Sequence, residues 1–201
     1  MDYSQFFNMI PEAGLMAILV IVFLADLFLK GEKKHATLSM LTCALLVAQV
    51  VLCFNAQPAE TFAGLYTATA AAQVMKVILT AGAYIVVVMA QSWIEREDVL
   101  RKEGEFYELI ISTLLGMYMM ISSGHFLMFF LGLEMASVPM ACLVAFDKYK
   151  KISAEGAAKF ILTATFSSGV MLYGISFIYG ACGTLYFDDM AAKISASPLT
   201  I

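Results

Sequence analysis

Apolar runs of roughly twenty residues, separated by short polar stretches, set the plan of this chain. Six can be drawn: Pro11 to Leu29, Ala36 to Phe54, Thr67 to Ile94, Phe106 to Ser122, His125 to Phe146 and Ser153 to Tyr179. A helix of about 20 apolar residues crosses a hydrocarbon core of about 30 Å. No water is available there, so each segment must close its backbone hydrogen bonds internally, and short loops make neighbouring helices antiparallel. The pattern predicts an all-α, polytopic transmembrane protein.

Basic residues orient it. Lys30, Lys33 and Lys34 follow the first run, Arg96, Arg101 and Lys102 the third, and Lys148, Lys150 and Lys151 the fifth. The loops Asn55 to Tyr66 and Ser123 to Gly124 carry no Lys or Arg, and neither does the stretch before Pro11. By the positive-inside rule the N-terminus lies outside and the three basic loops face the cytoplasm. The start has no basic n-region or small-residue cleavage site, so the first helix is expected to be kept as a span. The chain divides into 1–105, three helices with cytoplasmic loops at 30–35 and 95–105; 106–179, three more; and 180–201, an external segment. In that last segment Asp188, Asp189 and Lys193 interleave with Leu185, Phe187, Met190 and Ile194, which predicts a short interfacial helix. The ending SPLTI looks like the interior of a longer protein.

Composition narrows the class. The chain is 61% hydrophobic and only 14% charged, whereas a soluble domain has about 25% charged residues. Cys43, Cys53, Cys142 and Cys182 follow no metal-ligand spacing and read as small hydrophobes. No phosphate loop, zinc spacing, nucleic-acid patch or internal repeat stands out. No metal site or nucleic-acid partner is therefore expected, and the bilayer is the expected surrounding.

Polar groups inside the runs carry the candidate chemistry. Glu134 lies about 14 Å from the outer end of its helix and about 18 Å from the inner end. A carboxylate at that depth must be neutral, paired or watered. Gly132, Ala136 and Ser137 allow close helix packing beside it, and Pro139 frees the carbonyl of Met135. Proton handling and a purely structural role both fit. Lys159, about 9 Å inward from the expected cap Ser153, is its candidate partner, while Glu155 four residues earlier offers a local alternative.

Lys76 lies near the outer surface, where snorkelling accounts for it. His125 opens the fifth span and suits an interfacial cap, with titration near neutral pH as the functional alternative. Asp26 is placed to pair with Lys30, Glu12 to complement the first helix's dipole, and Trp93 and Tyr107 to anchor at the interface. A buried acid and base can exchange a proton when they separate, because separation raises the carboxylate's pKa and lowers the lysine's.

The run HFLMFFLGLEMASVPM, then SAEGAAKFILTATFSSGVMLYGISFIYGACGTLYF, carries a resemblance. It is similar to the subunit N family of bacterial proton-translocating NADH-quinone oxidoreductases (respiratory complex I), part of the wider antiporter-like family that includes subunits of multisubunit sodium/proton antiporters. The matching motifs are GLE with the downstream Pro139, AAKF around Lys159, and the run from Ser167 to Gly180.

The resemblance implies about fourteen helices with two inverted five-helix repeats, of which 106–179 would be the first three helices of one. It implies that Glu134 and Lys159 belong to a polar axis for proton translocation; Lys76, His125 and Glu155 stand beside them as secondary candidates on the reading of the residues alone. It also implies other membrane-arm subunits as partners, a multi-pass place in the bacterial inner membrane, and no cofactor or NADH bound by this chain, the redox and quinone chemistry lying in other subunits. The alternatives are a subunit of a cation/proton antiporter and a structural membrane subunit.

Overall fold

The structure is a computed structural model describing residues 3–29, 34–95, 102–147 and 150–196. A 3-10 segment, Tyr3–Met9, leads into α1 (Ile10–Phe28) and α2 (Lys34–Asn55), and a small antiparallel hairpin, β1 (Ala59–Thr61) and β2 (Tyr66–Ala68), precedes α3 (Ala70–Ile94). Then come α4 (Glu103–Ile121), α5 (Phe126–Val144), α6 (Lys151–Cys182) and α7 (Phe187–Ala196). Each predicted span holds a helix, and α7 is the short helix expected in the external segment. Lys30, Lys33, Arg96, Arg101 and Lys148 lie outside the described residues.

Among the described residues five helices, α1, α2, α3, α5 and α6, are long and apolar enough to cross a membrane. α4 is not among them, because Glu103, Glu105 and Glu108 in its first two turns lower its hydropathy. It packs against α1, α2, α3 and α5, so protein neighbours shield it. Ile110, Ile111, Leu114, Leu115 and Tyr118 of α4 are buried, and they pack with Leu15, Val22, Leu38, Leu46 and Val87 of the first three helices. A helix shielded by neighbours can keep polar residues that a lipid-facing one cannot. By contrast α6 buries only Ser168 and Ile175 and packs mainly on α5.

The two ends of the bundle differ. At the end assigned to the outside, backbone pairing joins the hairpin to the α4–α5 turn: Thr67 N–H donates to the Ser122 carbonyl at 2.8 Å and Gly124 N–H to Leu65 at 2.9 Å. Bridges link Tyr66 to Ser123 and His125 to Tyr186, and Phe62 N–H donates to Gln5 Oε1 at 3.0 Å. The hairpin turns through Phe62, Ala63 and Gly64, all at positive φ, a region only glycine enters without steric strain.

The opposite end is held by side chains. His35 Nδ1 sits 2.5 Å from Glu103 Oε2, and Trp93, Phe106 and Phe146 form an aromatic cluster with centroids 5.5–6.0 Å apart.

Asp26 pairs with Lys34 at 2.9 Å, reaching the next helix, while its expected partner Lys30 lies outside the described residues. Two expectations change. Tyr107 is fully buried among α4's contacts and is not an interfacial anchor. Lys150, not Ser153, precedes the first turn of α6; the Ser153 hydroxyl donates instead to the Val144 carbonyl at 2.5 Å, tying α6 back to α5.

Candidate functional site

Glu134 is positioned by the close approach of α4 and α5. A Cβ placed on Gly116 would lie 2.4 Å from the Ala136 nitrogen and 2.8 Å from the Gly132 oxygen, and one on Gly132 would lie 2.7 Å from the Met120 nitrogen. Small residues therefore bring the two backbones into contact two residues, about half a turn, on either side of Glu134, as small-x-x-x-small packing requires. Below it, the Ser137 hydroxyl donates to the Leu133 carbonyl at 2.8 Å, and Pro139 lies within the helix. Glu134 itself is half-buried, and among the described residues its carboxylate has no ion-pair partner.

Lys159 lies on an exposed face of α6. Its ammonium contacts Glu155 Oε1 at 2.5 Å, with the two side chains 73% and 65% exposed. The structure thus joins Lys159 to Glu155 and does not join it to Glu134. Gly156, Phe160, Thr163, Ala164 and Ser167 share a shallow groove with it. His125 caps α5: its Nδ1 accepts from Leu127 N–H at 3.1 Å, and its ring stands edge-on to Tyr186 at 4.7 Å.

The largest correction concerns Lys76. Its side chain is fully buried, so it does not snorkel, and Nζ contacts Glu12 Oε1 at 2.5 Å. The Tyr66 hydroxyl donates to Glu12 Oε2 at 2.9 Å, and the Ser122 hydroxyl donates to Oε1 at 3.3 Å. Lys76 Nζ also lies 5.4 Å from the ring centroids of both Tyr66 and Tyr118, within cation–π range. Burial, and then the adjacent Glu12 charge, push the Tyr66 hydroxyl well above the ordinary phenol range.

A second line of hydrogen bonds fixes Tyr118. Gln49 Nε2 donates to the Pro11 carbonyl at 2.7 Å and to Cys53 Sγ at 3.7 Å; Cys53 Sγ lies 3.1 Å from the Tyr118 hydroxyl, which meets Thr80 Oγ1. Thr80 donates to the Lys76 carbonyl at 2.7 Å, which sets the direction of the whole line.

The cluster draws on α1, α2, α3, α4 and β2, with partners up to 110 positions apart, as Glu12 and Ser122 are. One sequence signal points to it. Glu12 and Lys76 both sit near outer helix ends, and neither has an oppositely charged residue three or four positions away.

A bundle of antiparallel apolar helices with ionisable groups held inside defines a multi-pass membrane protein. Residues 123–200 match the transmembrane family of NADH:quinone oxidoreductase and Mrp antiporter.

The chain is homologous along its whole length to NADH-quinone oxidoreductase subunit N: 52% identical over 201 residues to that of Phocaeicola vulgatus and 42% identical over 201 residues to that of Azobacteroides pseudotrichonymphae. These alignments cover 100% and 99% of this chain and 42% of each relative, so the chain spans about two fifths of the length of the curated relatives it matches.

Among solved structures, a chain of respiratory complex I from Thermus thermophilus superposes with a TM-score of 0.72 at 24% identity, covering 88% of this chain and 38% of that one. A chain of an archaeal membrane-bound sulfane sulfur reductase gives 0.72 at 18% identity, covering 92% and 39%. Both likenesses concern the fold.

Proposed function

We propose that this chain is part of a membrane-arm subunit of a respiratory NADH:quinone oxidoreductase in the bacterial inner membrane, and that Glu134 and Lys159 take part in proton translocation coupled to quinone reduction in other subunits. The observation that carries the reading is the Gly116–Gly132–Ala136 contact, which holds a carboxylate at mid-helix depth, in a chain homologous throughout to subunit N. In this reading 106–179 is the opening of the antiporter-like repeat, and 180–201 lies at the outer surface. His125 and Glu155 are secondary members of the path.

The chemistry is a switch between two states. In one state Glu134 and Lys159 face each other as a pair, and in the other they are apart. Lys159, held by Glu155 in the structure, is free to exchange that partner for a deeper one because an exposed pair contributes little. Electron transfer and NADH binding are assigned to other subunits. The family match, which names the Mrp antiporter alongside the oxidoreductase, supports a second reading as a cation/proton antiporter subunit.

The protein isolated gently from its native membrane should bring down redox subunits, and Glu134→Gln in that assembly should lower quinone-dependent proton uptake. Recovery of ion-exchange subunits alone would move the assignment to the antiporters. Unchanged uptake by the assembled variant would leave Glu134 a structural residue.

A further inference from the structure

We propose that Glu12 and Lys76 form a second proton-exchange site, at the outer end of the bundle and distinct from the Glu134 helix. The inference rests on the proton-translocation reading above and adds a station to it. Four observations support it.

The first is burial. Both side chains are withdrawn from solvent, Lys76 completely, and their charged atoms meet at 2.5 Å. A buried ion pair is weak evidence for a stabilising role, since well-packed apolar residues of similar volume commonly do as well or better. Ionisable groups inside a membrane-spanning bundle are by default functional candidates.

The second is the arrangement of atoms. Moving one proton from Lys76 Nζ to Glu12 Oε1 converts ammonium and carboxylate into amine and carboxylic acid. Both charges vanish, which offsets the cost of keeping them in a low-dielectric site. The pair therefore has two states that differ by one short proton transfer.

The third is the shell. Tyr66 and Ser122 meet the carboxylate with hydroxyls, which can accept as well as donate, and Tyr66 Oη is also 3.4 Å from Lys76 Nζ. The fourth is access. Successive strand residues face opposite sides, so Tyr66 points to the pair while Thr67 lines a polar outer pocket of about 290 Å³ with Glu60, Gly64, Gly124, Asp188 and Asp189. The hairpin strand and the α4–α5 turn stand between that pocket and the buried pair.

The step balances with water as the other reactant. Glu12 as carboxylic acid gives its proton to a water molecule entering from the outer pocket, leaving carboxylate and hydronium. The Lys76 amine then takes the next proton from the membrane side, restoring the ion pair.

The test uses the assembled complex in native membrane vesicles. Lys76→Arg keeps the positive charge beside Glu12 but cannot release a proton under physiological conditions. The doubly neutral Glu12→Gln/Lys76→Met removes both charges. Either variant, once assembled, should lose most of the quinone-driven proton uptake, and the protonated-carboxyl band assigned to Glu12 should disappear from redox difference infrared spectra in the double variant. Wild-type uptake in assembled Lys76→Arg would overturn the proposal, as would failure of both variants to assemble, which would assign the pair to structure alone. Glu134→Gln is measured alongside: if it lowers uptake while Lys76→Arg does not, the second site falls and the first stands. Normal uptake with Glu134→Gln together with loss in Lys76→Arg leaves Glu134 a structural residue and the second site standing.

Discussion

Two Glu–Lys pairs in this molecule have the same closest distance, 2.5 Å, and opposite surroundings. Glu155 and Lys159 are one helical turn apart on an exposed face of α6, and their side chains are 65% and 73% exposed. Glu12 and Lys76 come from different helices, 64 positions apart, and are 3% and 0% exposed. Distance alone therefore says nothing about what a pair does. The exposed pair exchanges partners at little cost. The buried pair is locked by Tyr66, Ser122 and the two tyrosine rings, so that changing one partner disturbs four elements at once.

That contrast can be broken from the buried side first. Lys76→Met leaves Glu12 buried without its cation and should cost about 3–5 kcal/mol, the range for removing one partner of a buried pair. Thermal unfolding in detergent should show the loss, and the double variant Glu12→Gln/Lys76→Met should recover much of it. A small change for the single variant would mean that water reaches the site freely.

Next in size is the α4–α5 seam. Gly132→Ala places a methyl group 2.7 Å from the Met120 nitrogen, so the helices must part, at about 1–3 kcal/mol. Cysteine cross-linking across the seam should slow with it. Unchanged cross-linking would show that the backbones are not in contact there.

Tyr118→Phe removes the hydroxyl between Cys53 and Thr80 and should cost about 1 kcal/mol, read by the same unfolding assay. Smallest on stability is Lys159→Ala, at about 0.3–0.5 kcal/mol for an exposed helical pair, yet proton uptake should fall with it. An equal absence of effect on both would confine Lys159 to its local pair.

Alkali offers a further check on the buried site. Tyr66 stays protonated in the folded protein at pH values where an exposed phenol, with a pKa of about 10, ionises. The unfolded chain therefore binds fewer protons than the native one above that value, and stability should fall as pH rises through it. Tyr66→Phe should flatten that alkaline slope.

Much of this was legible in the sequence, for physical reasons that differ by region. The lengths of the apolar runs follow from membrane thickness, and each of the six predicted spans holds a helix. The packing of Gly132 and Ala136 against α4 followed from small residues one turn apart. The central place of α4 did not, because a hydropathy pattern records what a helix would cost in lipid and not which neighbours shield it.

The buried pair escaped for a similar reason. Lys76 near a helix end reads as a snorkelling side chain until Glu12, on another helix at the same end, is brought beside it. The hairpin carrying Tyr66 is only two three-residue strands and leaves no periodic trace. Its place is set by pairing with the α4–α5 turn, a contact between residues more than fifty positions apart.

The central claim is that a carboxylate held in α5 by close helix packing takes part in moving protons. Its most direct test is the number of protons moved per quinone reduced, measured in sealed native vesicles with Glu134 intact or changed to Gln. The account predicts a lower ratio in the variant while quinone reduction continues. An unchanged ratio in a fully assembled complex would contradict it.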